Sequence, residues 1–254
     1  MKRFLYIAAT LLVAVSFEAS AWTAEVNKAV LMLAEENLSS KAKREASHIL
    51  GTSITEVVFA GKGECQTRLN ESGKSVTTDK NDAVVRLEDA IAALQREGLS
   101  AEERKAALLT LMETTVDIHC PANILIDKHL EADFKFGRDN GRPKTSRWFK
   151  INKREWRNMW HSHFHSQLGA FSAEMYLYDW HISTKGMAKS FKKQPVAPRK
   201  WAEQTGEVVL SAIKVFKPEA VVDRMEITKL EEVNNRCLYN AAFRLANLLN
   251  TVLK

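Results

Sequence analysis

Apolar residues recur at helical spacing along most of this chain, and this pattern constrains its fold more than any other feature. In the clearest case, Val84, Leu87, Ile91 and Leu94 lie on one face of a helix predicted over residues 82–96. Only 10 glycines and 5 prolines occur in 254 residues, and few of them interrupt these stretches. Because no sustained alternation of polar and apolar residues accompanies this pattern, the sequence predicts an all-α fold.

The limits of several helices can be read from their capping residues. Ser100 and Glu103 form the sequence pattern of a capping box, and Pro121 should end or kink the helix that follows. We predict the other helices as a pair within residues 22–50 and single helices at 54–60, 156–175, 201–215 and from 218 to the C-terminus. We expect loops, rich in polar residues, glycine or proline, at 61–80, 134–146 and 183–198.

The first 21 residues have the pattern of a secretory signal peptide. Lys2 and Arg3 precede an apolar run over residues 4–17, which is too short to span a bilayer, and Ala19-Ser20-Ala21 offers a cleavage site. Cleavage after Ala21 would make Trp22 the new N-terminus. We therefore expect a signal peptide at 1–21, one domain at 22–254 without a membrane span, and export to a periplasm or to the medium.

The cysteines give two alternatives. The chain contains three of them, Cys65, Cys120 and Cys237, so at least one lacks a partner within the chain. In an oxidising compartment Cys65 and Cys237 could form a bridge, and the alternative is three buried thiols. Cys120 belongs to no Cys-x-x-Cys pair, so we do not expect a cysteine-based zinc site.

Basic residues and tryptophans interleave over residues 135–157, where nine lysines and arginines accompany two acidic residues. Cations that contact phosphates, together with aromatic rings that stack on bases, are typical of a surface for single-stranded nucleic acid. The candidate residues for this surface are Lys144, Arg147, Trp148, Lys150 and Arg154. A second basic run covers residues 185–200. The alternative for both runs is a solvated face over buried tryptophans.

Four stretches of the chain follow one another in the order of a known family's motifs. They are residues 35–51, residues 99–121 with Asp117-Ile118-His119-Cys120-Pro121, residues 160–168 with Trp160-His161-Ser162-His163-Phe164-His165, and residues 201–203 together with 241–250. In this order they resemble the zinc-dependent single-strand-specific nucleases, secreted type I nucleases that share a fold with bacterial zinc phospholipase C. The resemblance implies a single-domain multi-helix fold of that type and zinc-dependent hydrolysis of phosphodiester bonds in single-stranded nucleic acid.

The resemblance also implies a set of zinc ligands, which this chain keeps only in part. The positions that are retained, or replaced by residues able to bind metal, are Trp22 through its amine, Glu113, Asp117, His161 and His165. The positions replaced by poor ligands are Asn27, Asn123 and one that falls at Gly61 or Lys62. A further histidine of the family has no counterpart in this chain.

Glu113 and Asp117 are the candidate catalytic carboxylates, and residues four apart on a helix share a face. An ammonium at Lys62 would stand where the family has a dication. It could then pair with Glu113 and Asp117, so that a salt bridge replaces one zinc ion.

A remnant of the zinc centre is also conceivable. His161 and His165 have the i, i+4 spacing of a two-ligand zinc clip, which Asn123 could complete. The amine of Trp22 with Asp117 could hold a second ion. We therefore expect one or two zinc ions at most, and the alternative is none.

Two functions follow from these residues. As an enzyme, the chain would use zinc-bound water to attack a phosphodiester, with Asp117 and Glu113 at the reacting centre. As a non-catalytic protein on the same fold, it would bind single-stranded nucleic acid or another anionic ligand. The second is favoured because the replacements compensate one another, whereas random loss leaves costly unpaired charges in a buried cleft. A helical domain that serves only as an interaction partner is a third alternative.

Overall fold

The computed structural model describes residues 22–59, 65–127, 134–138, 147–151, 160, 172–215 and 224–253. Its helices, numbered here in chain order, are α1 Ala24–Glu36, α2 Ser40–Leu50, α3 Ala83–Leu94, α4 Ala101–Asp117, α5 Ala173–Ser183, α6 Ala188–Phe191, α7 Pro198–Val215 and α8 Arg224–Val252. Its strands are β1 Thr67–Leu69, β2 Ile124–Ile126, β3 Phe134–Arg138 and β4 Arg147–Ile151. The prediction of a predominantly helical chain is confirmed.

Side-chain caps fix where several helices begin. The Ser100 hydroxyl accepts from the Glu103 amide at 3.2 Å, and the Glu103 carboxylate accepts from the Ser100 amide at 2.9 Å, so the predicted capping box is confirmed. Asp82 caps α3 in the same way by accepting from the Val84 amide at 2.9 Å. Gly51 ends α2 with φ at 76°, in the left-handed region that glycine adopts without strain.

The helices pack around one apolar core in the described part of the chain. Helix α1 contacts α5 and α8, α3 packs along α4, and α4 also contacts α8. Fully buried side chains such as Leu31, Leu87, Leu111 and Leu248 come from four different helices. Burial of these faces is what stabilises the helices, since short isolated helices are marginal in water.

Two small two-stranded sheets accompany the helices. Strands β1 and β2 pair in parallel, with Thr67 opposite Ile124 and Leu69 opposite Ile126, and α7 packs against them. Strands β3 and β4 form an antiparallel pair. The predicted loops at 61–80 and 134–146 were therefore wrong at β1 and β3. Strands of three to five residues are too short to produce a recognisable alternation.

Other predictions at the level of elements have mixed outcomes. The helix predicted at 54–60 is a single 3-10 turn at Ile54–Glu56, and the predicted loop at 183–198 contains α6. Helix α4 ends at Asp117, and Pro121 opens a 3-10 turn, Pro121–Asn123. The signal peptide predicted at 1–21 lies outside the described residues.

Cys65 and Cys237 are buried free thiols, so no disulfide joins them in the described structure. Burial raises the pKa of each of these thiols to about 12.

None of the helices within the described ranges is long and apolar enough to cross a membrane.

Candidate functional site

The last turn of α4 carries the two candidate catalytic carboxylates, Glu113 and Asp117. Asp117 is 6% exposed, and its Oδ1 accepts a hydrogen bond from Asn123 Nδ2 at 3.2 Å. Burial, and after it the charge of Glu113, raise the pKa of Asp117 well above its ordinary value, while Arg86 acts in the opposite direction. In this environment burial therefore favours the protonated form of Asp117.

Arg86 of α3 is the cation that the described structure brings to these carboxylates. Its Nη1 donates to Cys65 Sγ at 3.1 Å, and its charge acts on Asp117. The sequence predicted Lys62 for this role, and Lys62 lies outside the described residues. Arg86 was missed because the role depends on how α3 packs on α4. The usable signal was the short connection between two amphipathic helices, which makes them antiparallel neighbours.

The N-terminal ligand positions are held by a second set of hydrogen bonds. Asn27 Nδ2 donates to the Trp22 carbonyl oxygen at 3.0 Å, within the first turn of α1. The Trp22 indole Nε1 donates to Asn234 Oδ1 of α8 at 3.4 Å. All three side chains are at least nine-tenths buried. Trp22 is thus anchored as a core residue, and the amide of Asn27 is engaged with the backbone of the same segment.

The described residues at these positions do not make up a zinc centre by themselves. The described candidates Trp22, Asn27, Glu113, Asp117 and Asn123 offer two carboxyl groups and two side-chain amides. Catalytic zinc sites use three histidine, cysteine or carboxylate ligands. Within the described ranges, no group of three or more such side chains is placed to hold a metal ion. His161 and His165 lie outside the described residues, so the predicted two-histidine clip stays a prediction.

His119 belongs to a buried polar network. Its Nδ1 lies 2.6 Å from the Thr115 carbonyl oxygen, and its Nε2 lies 2.9 Å from Arg244 Nη1 of α8. Since Arg244 can only donate, Nε2 must accept and Nδ1 must carry the proton. Burial, and after it the charge of Arg244, lower the pKa of His119 to about 3.

Arg244 is itself an unusual buried cation. It is 6% exposed, it lies over the Trp201 ring at 5.5 Å, and its Nη2 donates to Gln204 Oε1. Its Nε has no hydrogen-bond partner in the described structure. Burial lowers its pKa to about 10, which still leaves it charged at neutral pH. Sequence reasoning missed this network, although a lone arginine inside the apolar run of residues 241–249 was a signal for it.

The predicted nucleic-acid residues Arg147, Trp148 and Lys150 all lie in β4, whereas Lys144 and Arg154 are outside the described residues. The antiparallel register places Lys150 opposite Lys135, Trp148 opposite Gly137, and Arg147 opposite Arg138. Residues directly opposite one another share a face of the ribbon. The strand pair therefore gathers four basic residues and a tryptophan, without an acidic residue.

Part of the second basic run has a structural role. Arg199 Nε and Nη2 donate to the two carboxylate oxygens of Glu88 at 3.0 and 2.8 Å. Its Nη1 donates to the Thr77 carbonyl oxygen at 3.0 Å. This bidentate pair joins α7 to α3, so Arg199 is not available to an external ligand.

The chain was compared with models of known protein families and with curated protein sequences. No family model matches it, and no curated protein matches it.

Proposed function

We propose that this protein is a non-catalytic relative of the zinc nucleases that binds single-stranded nucleic acid through the β3–β4 ribbon, Phe134–Arg138 paired with Arg147–Ile151. The observation that carries the proposal is the register of the ribbon. It sets Lys135 opposite Lys150 and Arg138 opposite Arg147. Like charges directly opposite one another destabilise a strand pair. A bound polyanion would remove this repulsion.

One face of the ribbon combines the two features that a single strand requires. Lys135 and Gly137 are two residues apart in β3, so they share a face with their partners Lys150 and Trp148. Two cations can contact neighbouring phosphates, and the tryptophan at the next position on this face can stack on a base. Because every base has a π-face, this arrangement favours binding without strong sequence preference.

The loss of catalysis is supported by the environment of Asp117. Its carboxyl group accepts from Asn123 at 3.2 Å and lies within the electrostatic reach of Arg86. Asn123 stands where the resemblance places a metal ligand, and here its side-chain amide donates to the Asp117 carboxyl group.

The experiment is fluorescence anisotropy with a labelled oligothymidylate of about 16 nucleotides, which covers the usual site size of such surfaces. The protein is the chain from Trp22 to Lys254, and binding is measured over a series of salt concentrations. We expect Lys135→Gln with Lys150→Gln to lower affinity and to reduce the slope of log K against log salt by about 1.4, or about 0.7 per lost phosphate contact. Trp148→Leu should cost about 1–3 kcal/mol at every salt concentration.

The matched control is Lys41→Gln with Lys105→Gln, which removes the same charge from two exposed lysines on α2 and α4. If the control weakens binding as much as the ribbon variant, binding is a property of net charge and the proposal fails. The oligonucleotide is then recovered and run on a denaturing gel. Zinc-dependent cleavage that Asp117→Asn abolishes would restore the enzyme hypothesis in place of this one.

A further inference from the structure

Helix α5 exposes an apolar stripe to solvent. Met175, Tyr178 and Ile182 are 51%, 73% and 67% exposed, and they are three of the five large hydrophobic side chains that the described structure leaves exposed. Their spacing of three and four residues puts them on one side of the helix. The opposite side, which includes Tyr176 and Trp180, is buried against the core. Such clustering on one helix marks an interaction surface, whereas single exposed hydrophobics do not.

The chain that follows this stripe is strongly basic. Residues 180–202 contain no aspartate or glutamate. Four lysines between α5 and α7 are exposed, namely Lys185, Lys189, Lys192 and Lys193. The four lysines therefore follow the apolar stripe and outnumber Glu174 and Asp179, the two acidic residues that α5 exposes beside it.

The stripe and the lysines belong to one layer of the molecule. The Trp180 ring of α5 contacts the Tyr239 ring at 5.7 Å, and the Phe191 ring of α6 stacks on Phe243 at 5.1 Å. Tyr239 and Phe243 are four residues apart on α8, so they share one face of that helix. Both α5 and α6 are thus anchored on the same face of α8, and their outer sides face away from it together.

We propose that this surface, formed by Met175, Tyr178 and Ile182 with the lysines of residues 185–193, binds reversibly to a bilayer rich in anionic phospholipid. Apolar side chains can enter the boundary between headgroups and acyl chains while lysines contact the phosphates around them. A single-stranded nucleic acid would use the lysines and Tyr178, but it offers no apolar environment for Ile182 or Met175. The combination of aliphatic and cationic side chains therefore favours a lipid surface.

The experiment is co-sedimentation of the chain from Trp22 to Lys254 with sucrose-loaded vesicles. One set contains phosphatidylcholine alone, and the other contains equal parts of phosphatidylcholine and phosphatidylglycerol. We expect binding to the anionic vesicles only. Lys189→Gln with Lys193→Gln should weaken it about 25-fold, or about fivefold per lysine. Tyr178→Ser with Ile182→Ser should weaken it about tenfold or more, since two apolar groups lose their burial.

Two control variants match these changes. Val58→Ser with Val76→Ser removes two hydrophobic side chains that are equally exposed elsewhere, at 85% and 66%. Lys41→Gln with Lys105→Gln removes the same charge from α2 and α4. Both controls should bind like the unchanged chain, and circular dichroism should give all five proteins the same helix content.

Three results would overturn the proposal. The first is equal binding to both vesicle types, or none to the anionic type at low salt. The second is concentration-dependent dimerisation that Tyr178→Ser with Ile182→Ser abolishes, because the surface would then bind a second copy of the chain. The third is oligothymidylate binding that the variant Lys189→Gln with Lys193→Gln weakens while vesicles do not compete. The ribbon variants used above leave these lysines unchanged, so failure of the nucleic-acid proposal would be seen separately.

Discussion

Acid should unfold this protein through His119. The ring is 1% exposed, and its Nε2 accepts from Arg244 Nη1 at 2.9 Å. A second proton on the ring would occupy that nitrogen, remove the acceptor and place a cation against the guanidinium. On the other side, Nδ1 already donates to the Thr115 carbonyl oxygen at 2.6 Å. The ring therefore has no tautomer that can take up a second proton and keep the hydrogen bond from Arg244.

The size of the effect follows from the shift in pKa. The pKa of His119 falls from 6.5 to about 3 on folding, so the unfolded chain binds a proton that the folded chain refuses over this interval. Stability contributed by neutral His119 is complete above pH 6.5 and is lost as the pH falls towards 3. Each pH unit costs about 1.4 kcal/mol, which gives about 5 kcal/mol over the whole interval. This is comparable to the total stability of many domains, which is about 5–15 kcal/mol.

The assay is urea unfolding followed by circular dichroism, on the unchanged chain and on His119→Gln, between about pH 7.5 and pH 4.5. Glutamine can donate to Thr115 and accept from Arg244 but does not titrate, so other acid-sensitive groups cancel in the comparison. We expect the stability difference to shift in favour of the variant by about 2 kcal/mol between pH 6.5 and pH 4.5. Parallel stability curves for the two proteins would refute the reasoning.

Two further predictions concern Asp117 and Gly206. Asp117→Asn keeps the acceptor for Asn123 and removes an ionisable group whose pKa is raised on folding, so it should stabilise the chain by about 1–3 kcal/mol at neutral pH. The gain should disappear as the pH falls towards 3.8, where the unfolded carboxyl group is also protonated, and Asp127→Asn at a partly exposed ion pair is the control. In Gly206→Ala the added Cβ would overlap Leu69 Cδ1. Overpacking should cost about 2 kcal/mol, and the better helix propensity of alanine should return about 1 kcal/mol. We therefore expect the free energy of unfolding, measured by thermal denaturation, to fall by about 1 kcal/mol. In a Leu69→Ala background the same change should be neutral or stabilising, and a loss in both backgrounds would contradict the contact.

The helix limits could be predicted because they depend on neighbouring residues. The capping box of Ser100 and Glu103 and the left-handed Gly51 lie within one turn of the helix end that they fix. The apolar face of α3 could be read in the same way. Strand β1 could not be predicted, since its pairing with β2 joins residues 67–69 to 124–126. A three-residue strand gains its stability from a partner that is distant in sequence, and the local sequence contains little trace of it.

Of the candidate site, the sequence predicted only the arrangement of residues that lie on the same helix. Glu113 and Asp117 share a face of α4 because of their spacing alone. The hydrogen bond from Asn123 was not predicted, since it depends on the 3-10 turn that follows the helix. Arg86 and Arg244 reach their partners from other helices, so their roles follow from packing. Their one sequence signal is a charged residue among apolar neighbours, and it does not identify the partner.

The measurement that tests the central claim most directly is the zinc content of the chain that begins at Trp22. Elemental analysis after zinc loading and dialysis would be made on the unchanged chain and on Asp117→Asn. Our account holds that Asp117 is engaged by Asn123 and Arg86 and is not a metal ligand, so the two proteins should retain the same amount of zinc. Two or more ions per chain in the unchanged protein, with a clear loss in Asp117→Asn, would contradict the account and assign the carboxylate to a zinc centre.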